Sequence, residues 1–140
     1  MESRDGVFEM RLAVAPEHID ENRHVNNVQY VQWMQDVAVA HSDERGCTGL
    51  LEKLGGAWVA RSHRIEYLRP ALSGDNIVIK TWVSGLGRVR STRKYCFVRE
   101  ADGVELARAE TEWVFVDRNS GRPKSIPKEL GARFRVVGEE

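Results

Sequence analysis

Apolar positions along this chain keep two different periods. From Phe8 to Val14 they alternate with polar ones, which puts Phe8, Met10, Leu12 and Val14 on one side of a half-buried strand closed by Pro16. Pro16 to Asn26 is polar and rich in His, Asp and Asn, the composition of an ordered loop. From about Asn27 to Arg45 the period becomes helical: Val28, Val31, Met34, Val37, Ala38 and His41 recur at helical spacing, and Tyr30 and Trp33 widen the arc. Asn26 or Asn27 caps the start, and Arg45-Gly46 stops the helix. Cys47 to Gly56, with three glycines and a Leu-Leu pair, reads as a short turn and connector.

From Ala57 onward the period is two. Strands are expected at Trp58 to Leu68, Asn76 to Ser84, Arg88 to Glu100 and Val104 to Asp117. Arg69-Pro70, Ser73-Gly74-Asp75, Gly85-Leu-Gly87 and Asp102-Gly103 separate them. The tail holds one helical turn at Lys128 to Phe134. Consecutive strands joined by short turns pair antiparallel, because parallel neighbours need crossovers. The expectation is one α+β domain over residues 1–140, a curved antiparallel sheet of about five strands wrapped around one long helix. One helix cannot cover both faces of such a sheet, so its remaining face or edge is expected to meet a second subunit, as a homodimer or homotetramer.

Composition narrows the function. The chain has 140 residues with 21 Lys plus Arg against 21 Asp plus Glu, a formal net charge of zero. That balance provides no long-range attraction to nucleic acid or to an anionic membrane. Cys47 and Cys96 lack a CxxC spacing, so neither a disulfide scaffold nor a zinc cage is expected. His41 and His63 are isolated, and no metal site is expected. The first residues are polar, and no apolar run approaches the roughly 18 residues of a membrane span. A cytoplasmic location is therefore expected.

The densest set of reactive side chains is His18-Ile-Asp20-Glu-Asn22-Arg-His24-Val-Asn26-Asn27, just ahead of the helix. Asp20, Asn22 and His24 alternate, so an extended backbone projects a carboxylate, an amide and an imidazole to one side. The carboxylate can attack a carbonyl or activate water, while the other two orient it and the substrate. Backbone N–H groups at the helix start can stabilise an oxyanion. Arg88, Arg90, Arg93 and Lys94 form a basic run suited to phosphates or an acidic protein surface, although a solvated strand face accounts for Arg90 and Lys94 as well. The four tryptophans are expected in the core or at a subunit interface.

His24-Val-Asn-Asn-Val-Gln-Tyr30, with Asp20 four residues ahead, resembles the D-x-x-x-H-V-N-N-x-x-Y signature of hotdog-fold thioesterases, the 4-hydroxybenzoyl-CoA thioesterase-like group. Two branches look closest. Bacterial long-chain acyl-CoA thioesterases share an opening like His18-Ile-Asp20, and plant acyl-carrier-protein thioesterases share D-x-N-x-H-V-N-N with a Tyr and a Trp like Tyr30 and Trp33. Ile65-Glu-Tyr-Leu-Arg-Pro-Ala71 with Gly74-Asp75 is similar to a second block of the family. The resemblance implies a hotdog fold and hydrolysis of an acyl thioester, with acyl-CoA or acyl-carrier protein as substrate. It needs no cofactor beyond the coenzyme A of the substrate. It makes Asp20 the catalytic carboxylate with Asn22 and His24 as partners, and Asn26, Asn27, Tyr30, Arg88 and Arg90 substrate-binding. Two departures stand out: His18 occupies the position where many relatives carry an earlier Asp nucleophile, and Pro70 stands where the plant enzymes place a Glu. Covalent attack by Asp20 and attack by an activated water both stay open. A hydratase or dehydratase on the same fold is the alternative, since Asp20-Glu-Asn22 partly echoes a D-x-N-P-x-H-x-D motif. The other is a non-catalytic domain that binds acyl-CoA.

Overall fold

The computed structural model describes residues 5–138. Strand β1 (Phe8–Ala13) leads through a 3-10 turn (Pro16–His18) to helix α1 (Asn27–Glu44). Helix α2 (Cys47–Leu54) follows, then β2 (Gly56–Tyr67), β3 (Asn76–Leu86), β4 (Arg90–Arg99), β5 (Glu105–Asp117) and a short α3 (Lys128–Gly131). The five strands form one antiparallel sheet in the order β1-β3-β4-β5-β2. The expected architecture is present.

Strands β3, β4 and β5 are neighbours in sequence and in space, but β2 and β3 are not, because residues 68–75 carry the chain across the end of the sheet. That link is tied at three places. The Leu68 and Arg69 amides donate to the Leu106 carbonyl, the Val25 amide donates to the Ala71 carbonyl, and the Val14 amide donates to the Asp75 carbonyl. Arg99 secures it further, bonding Asp75 at 3.1 Å and the Pro70 carbonyl at 2.9 Å. The block around Pro70 therefore packs against the polar loop that precedes α1.

Helix α1 lies on the inner face of the sheet. Tyr30, Trp33, Met34 and Val37 meet Ile77, Ile79, Tyr95, Phe97 and Ala107 in the main core. The helix is not wrapped all round: Val28 is 74% exposed and Val39 49%, with Val31 also exposed, and Val39 lines a hollow shared with Ala57 and Trp58 of β2. The outer edge of β2 pairs with no other strand among the described residues and carries Val59 at 50% exposure.

Within Cys47 to Gly56, where a connector was expected, Cys47–Leu54 forms a helix. Gly46 in the left-handed region (φ 71°) breaks α1 from α2, and Gly55 (φ 62°) ends α2. Cys47 and Leu50 lie one turn apart and pack with Phe115 and Leu130, flanked by Leu51 and Leu54, in a second, smaller core. That helical spacing was present in the sequence, but the three glycines masked it.

Candidate functional site

The loop ahead of α1 is a tight hairpin and not an extended stretch. Ile19 pairs with Val25. The Asp20 amide donates to the His24 carbonyl at 2.9 Å, the Arg23 amide to the Asp20 carbonyl at 3.0 Å, and the Asn26 amide to the His18 carbonyl at 2.9 Å. Asp20 and His24 therefore oppose one another across two short arms, with Asn22 at the tip. Arg23 takes the left-handed turn at φ 65°. Hairpin opposition, not strand alternation, brings Asp20 and His24 together.

The Asp20 carboxylate is half-buried and oriented. Its Oδ1 accepts the Asn22 N–H at 2.9 Å, and no hydrogen bond reaches Oδ2 among the described residues. His24, Asn22, Asn26 and Asn27 are exposed. His18 does not share the reactive arm: its Nδ1 accepts the Ala15 N–H at 2.9 Å, and its ring meets Trp33 edge-on. The residue in the alternative nucleophile position closes a turn.

Asn26 is the helix cap, its side chain accepting the Val28 N–H at 2.9 Å. The Gln29 N–H goes to the Asn26 carbonyl. The Asn27 N–H has no acceptor among the described residues, so it is the donor the helix start leaves open. Tyr67, from the end of β2, reaches over and donates its hydroxyl to the Asn27 carbonyl at 3.3 Å. Tyr30 lies one turn further in. It is buried, edge-on to Trp33, Tyr67 and Phe97, and burial together with neighbouring Tyr67 pushes its pKa up to about 12.

Arg88 and Arg90 stand elsewhere. Arg90 pairs with Val114 of β5, seven residues along from Ala107, which pairs with Tyr67. At about 3.3 Å per residue that is roughly 23 Å from the Asp20 end. Arg88 donates to the Ser125 hydroxyl and Arg90 to Glu112. Arg93, expected on the basic surface run, is buried. Its guanidinium donates to His41 Nδ1 at 2.9 Å and to the Thr81 hydroxyl at 3.1 Å, with the Phe134 ring 5.6 Å away. Sequence reasoning treated His41 as isolated because Arg93, which bonds its ring, lies 52 residues away.

At this far end a cavity of about 220 Å³ opens between α1, α2 and the sheet. Ala38, Val39, Leu51, Trp58 and Trp113 line its walls, and Ser91 and Arg93 come from β4 beneath. No sequence signal marked it. Burial raises both cysteine thiols, Cys96 to about 12 with the Glu105 carboxylate accepting from it. Among the described residues no cluster of His, Cys, Asp and Glu could hold a metal ion, and no helix is long and apolar enough to cross a membrane.

Residues 14–134, which hold both the hairpin and the cavity, match the model of a thioesterase-like superfamily. The chain belongs to that superfamily. Among curated relatives of this thioesterase-like chain, the acyl-acyl carrier protein thioesterase ATL2 of Arabidopsis thaliana is 27% identical over 130 residues, 92% of this chain and 69% of that protein. Oleoyl-acyl carrier protein thioesterase 1 of Arabidopsis thaliana is 21% identical over 96% of this chain, which spans only 39% of its length. A 1,4-dihydroxy-2-naphthoyl-CoA thioesterase from Synechocystis superimposes with a TM-score of 0.82 at 18% identity, covering 91% of this chain and 95% of that one. The superposition establishes the hotdog fold.

Proposed function

We propose that this thioesterase-like chain hydrolyses acyl-CoA thioesters to a carboxylic acid and a thiol, with Asp20 as the reacting carboxylate. The observation that carries the reading is the pairing of an oriented half-buried carboxylate with an open helix-start donor, seven residues apart in one cinched loop. The Asp20 carboxylate attacks the thioester carbonyl directly or through a water it deprotonates. The Asn27 N–H receives the charge that develops on the carbonyl oxygen, and His24, opposite Asp20, orients the attacking group. Water supplies the second oxygen of the acid, and the thiolate leaves with a proton.

The working unit in this proposal is a homodimer joined along β2. That strand offers an edge unpaired among the described residues, and α1 leaves Val28, Val31 and Val39 exposed. A two-fold axis pairs β2 antiparallel with its copy, so the Gly56 end of one strand lies beside the Tyr67 end of the other. The cavity of one protomer then faces the partner's Asp20, and Arg88 with Arg90 approaches the same centre as a seat for coenzyme A phosphates. The separation of Asp20 from Arg88 and Arg90 within one chain supports this arrangement.

Steady-state hydrolysis of a panel of acyl-CoAs, run beside the matching acyl-carrier proteins and an enoyl-CoA hydration assay, tests the reading. Thioester cleavage lost in Asp20→Asn supports it; hydration without cleavage, or an acyl-CoA bound tightly and released intact, contradicts it. In a single turnover in ¹⁸O-water, an unlabelled product with the label in the Asp20 carboxylate identifies direct attack through a mixed anhydride that water opens at the Asp20 carbonyl.

A further inference from the structure

One hydrogen bond ties the arms of the Asp20 hairpin to the rest of the fold. Among the described residues, the only hydrogen bond that leaves residues 19–25 for a part of the chain beyond the loop is from the Val25 N–H to the Ala71 carbonyl, at 2.9 Å. Val25 is 3% exposed and packs in the main core. It pairs with Ile19, which directly precedes Asp20, and it directly follows His24. A shift of the Ala71 carbonyl is therefore felt in both arms.

Arg99, the last residue of β4, sets where that carbonyl stands. Its guanidinium reaches the link between β2 and β3 at two points that flank Ala71. Nε donates to Asp75 Oδ2 at 3.1 Å, and Nη2 donates to the Pro70 carbonyl at 2.9 Å. The same Asp75 oxygen accepts the Leu72 N–H at 2.9 Å, which closes the arc from Pro70 to Asp75 on itself. Arg99 and Asp75 are each 19% exposed in their side chains, so water screens the pair only in part. A planar fork fixes orientation as well as distance, which the point charge of a lysine does not. The third bond, from Nη1 to Asp102 at 3.0 Å, runs to the turn between β4 and β5. Arg99 and Asp75 also act as opposing charges on the phenol of Tyr30, one turn into α1 from the open Asn27 N–H.

We infer that Arg99 is a positioning residue for the reaction at Asp20: by holding Pro70 and Asp75 it fixes the Ala71 carbonyl, and with it the hairpin that carries the carboxylate. The inference rests on the thioesterase reading above and adds a residue that lies outside the Asp20-to-Tyr30 motif. It gives a role to the second sequence block, since Pro70, Ala71 and Asp75 supply the acceptors. Attack on a carbonyl tolerates little misplacement, and about 1 Å can cost about 10²-fold in rate.

Arg99→Lys keeps the charge and loses the fork. It is expected to lower kcat on an acyl-CoA by about tenfold and to leave KM within about twofold, because Arg99 acts through the hairpin. Asp75→Asn keeps an oxygen for the Leu72 N–H and loses the charge, so a smaller drop of the same kind is expected. Asp102→Asn weakens only the third bond, and its kcat should stay within about twofold of wild type. An unchanged kcat in Arg99→Lys, or an equal loss in Asp102→Asn, overturns the proposal.

Hydrogen exchange read by mass spectrometry tests the clamp without turnover. In Arg99→Lys, peptides spanning residues 19–25 and 68–75 should exchange several-fold faster, while those of β3 and β5 keep wild-type rates. If the wild-type protein cleaves no thioester yet this local loosening is seen, the thioesterase reading fails and the clamp stands. If hairpin exchange is unchanged, or rises evenly over the whole sheet, the clamp fails whatever the turnover.

Discussion

The two ends of α1 hold polar groups under opposite conditions. At its start, Asp20, Asn22 and His24 sit on a hairpin cinched by backbone hydrogen bonds, and most of their side chains face water. At its far end, His41, Thr81 and Arg93 bond one another in the interior, where the fold has to hold them. In the first region the backbone carries the geometry, so side chains can be exchanged at little structural cost. In the second the side chains carry it, and removing the Arg93 guanidinium takes a hydrogen bond from both His41 and Thr81. The first region is thus free to specialise in chemistry, and the second couples stability to whatever the cavity binds.

That contrast can be broken most sharply at Asp20. Asp20→Asn is expected to lower kcat/KM by about 10²–10⁴-fold, the usual worth of a positioned acid or base. Its amide oxygen still accepts the Asn22 N–H, so denaturation should show stability within about 0.5 kcal/mol of wild type. A large stability loss would erase the distinction between the ends.

Arg93→Met should behave the opposite way. Removing the guanidinium takes a donor from His41 Nδ1 and from the Thr81 hydroxyl, which keeps its bond to the Lys94 carbonyl, and urea denaturation is expected to show a loss of about 3 kcal/mol. A stability change near zero would mean the buried cluster holds nothing together.

Tyr67→Phe removes the hydroxyl that ties β2 to the start of α1. A loss of about 1 kcal/mol is expected, together with a several-fold drop in kcat as the helix start loosens. Activity unchanged by this variant would show that the open Asn27 donor needs no such tether.

The smallest effect is a pH response. Folding raises the Tyr30 pKa from 10.0 to about 12, so the folded phenol keeps a proton that the unfolded one loses. The stability it contributes is complete below pH 10 and is lost as pH rises through about 12. Tyr30→Phe should flatten this alkaline decline in thermal melts, and an unchanged slope would place its cause elsewhere.

The start of α1 was legible because its residues are contiguous. Asn26 caps and Gly46 stops by local chemistry, and the Asp20-to-Tyr30 motif lies in one short stretch. The strands were legible from their alternation, to within a few residues at each end. The placement of β2 against β5 was not, since it depends on the tied link around Pro70 and Asp75. Nor was the hairpin, where alternation suggested an extended arm and the Ile19–Val25 pairing folds it back. The far-end cluster escaped entirely. His41, Thr81, Ser91 and Arg93 come from three elements, and Arg93 reads in sequence as one more cation in an exposed run.

The central claim is that each reaction centre joins Asp20 of one protomer to the cavity of its partner. Co-expression of Asp20→Asn with Leu51→Trp, which fills the cavity from α2, tests this directly. Each variant alone should be inactive. A mixed dimer built as proposed contains one wholly intact site, so random pairing should restore about a quarter of wild-type activity. If the mixture stays as inactive as its parents while dimers form, Asp20 works with the cavity of its own chain and the account is wrong.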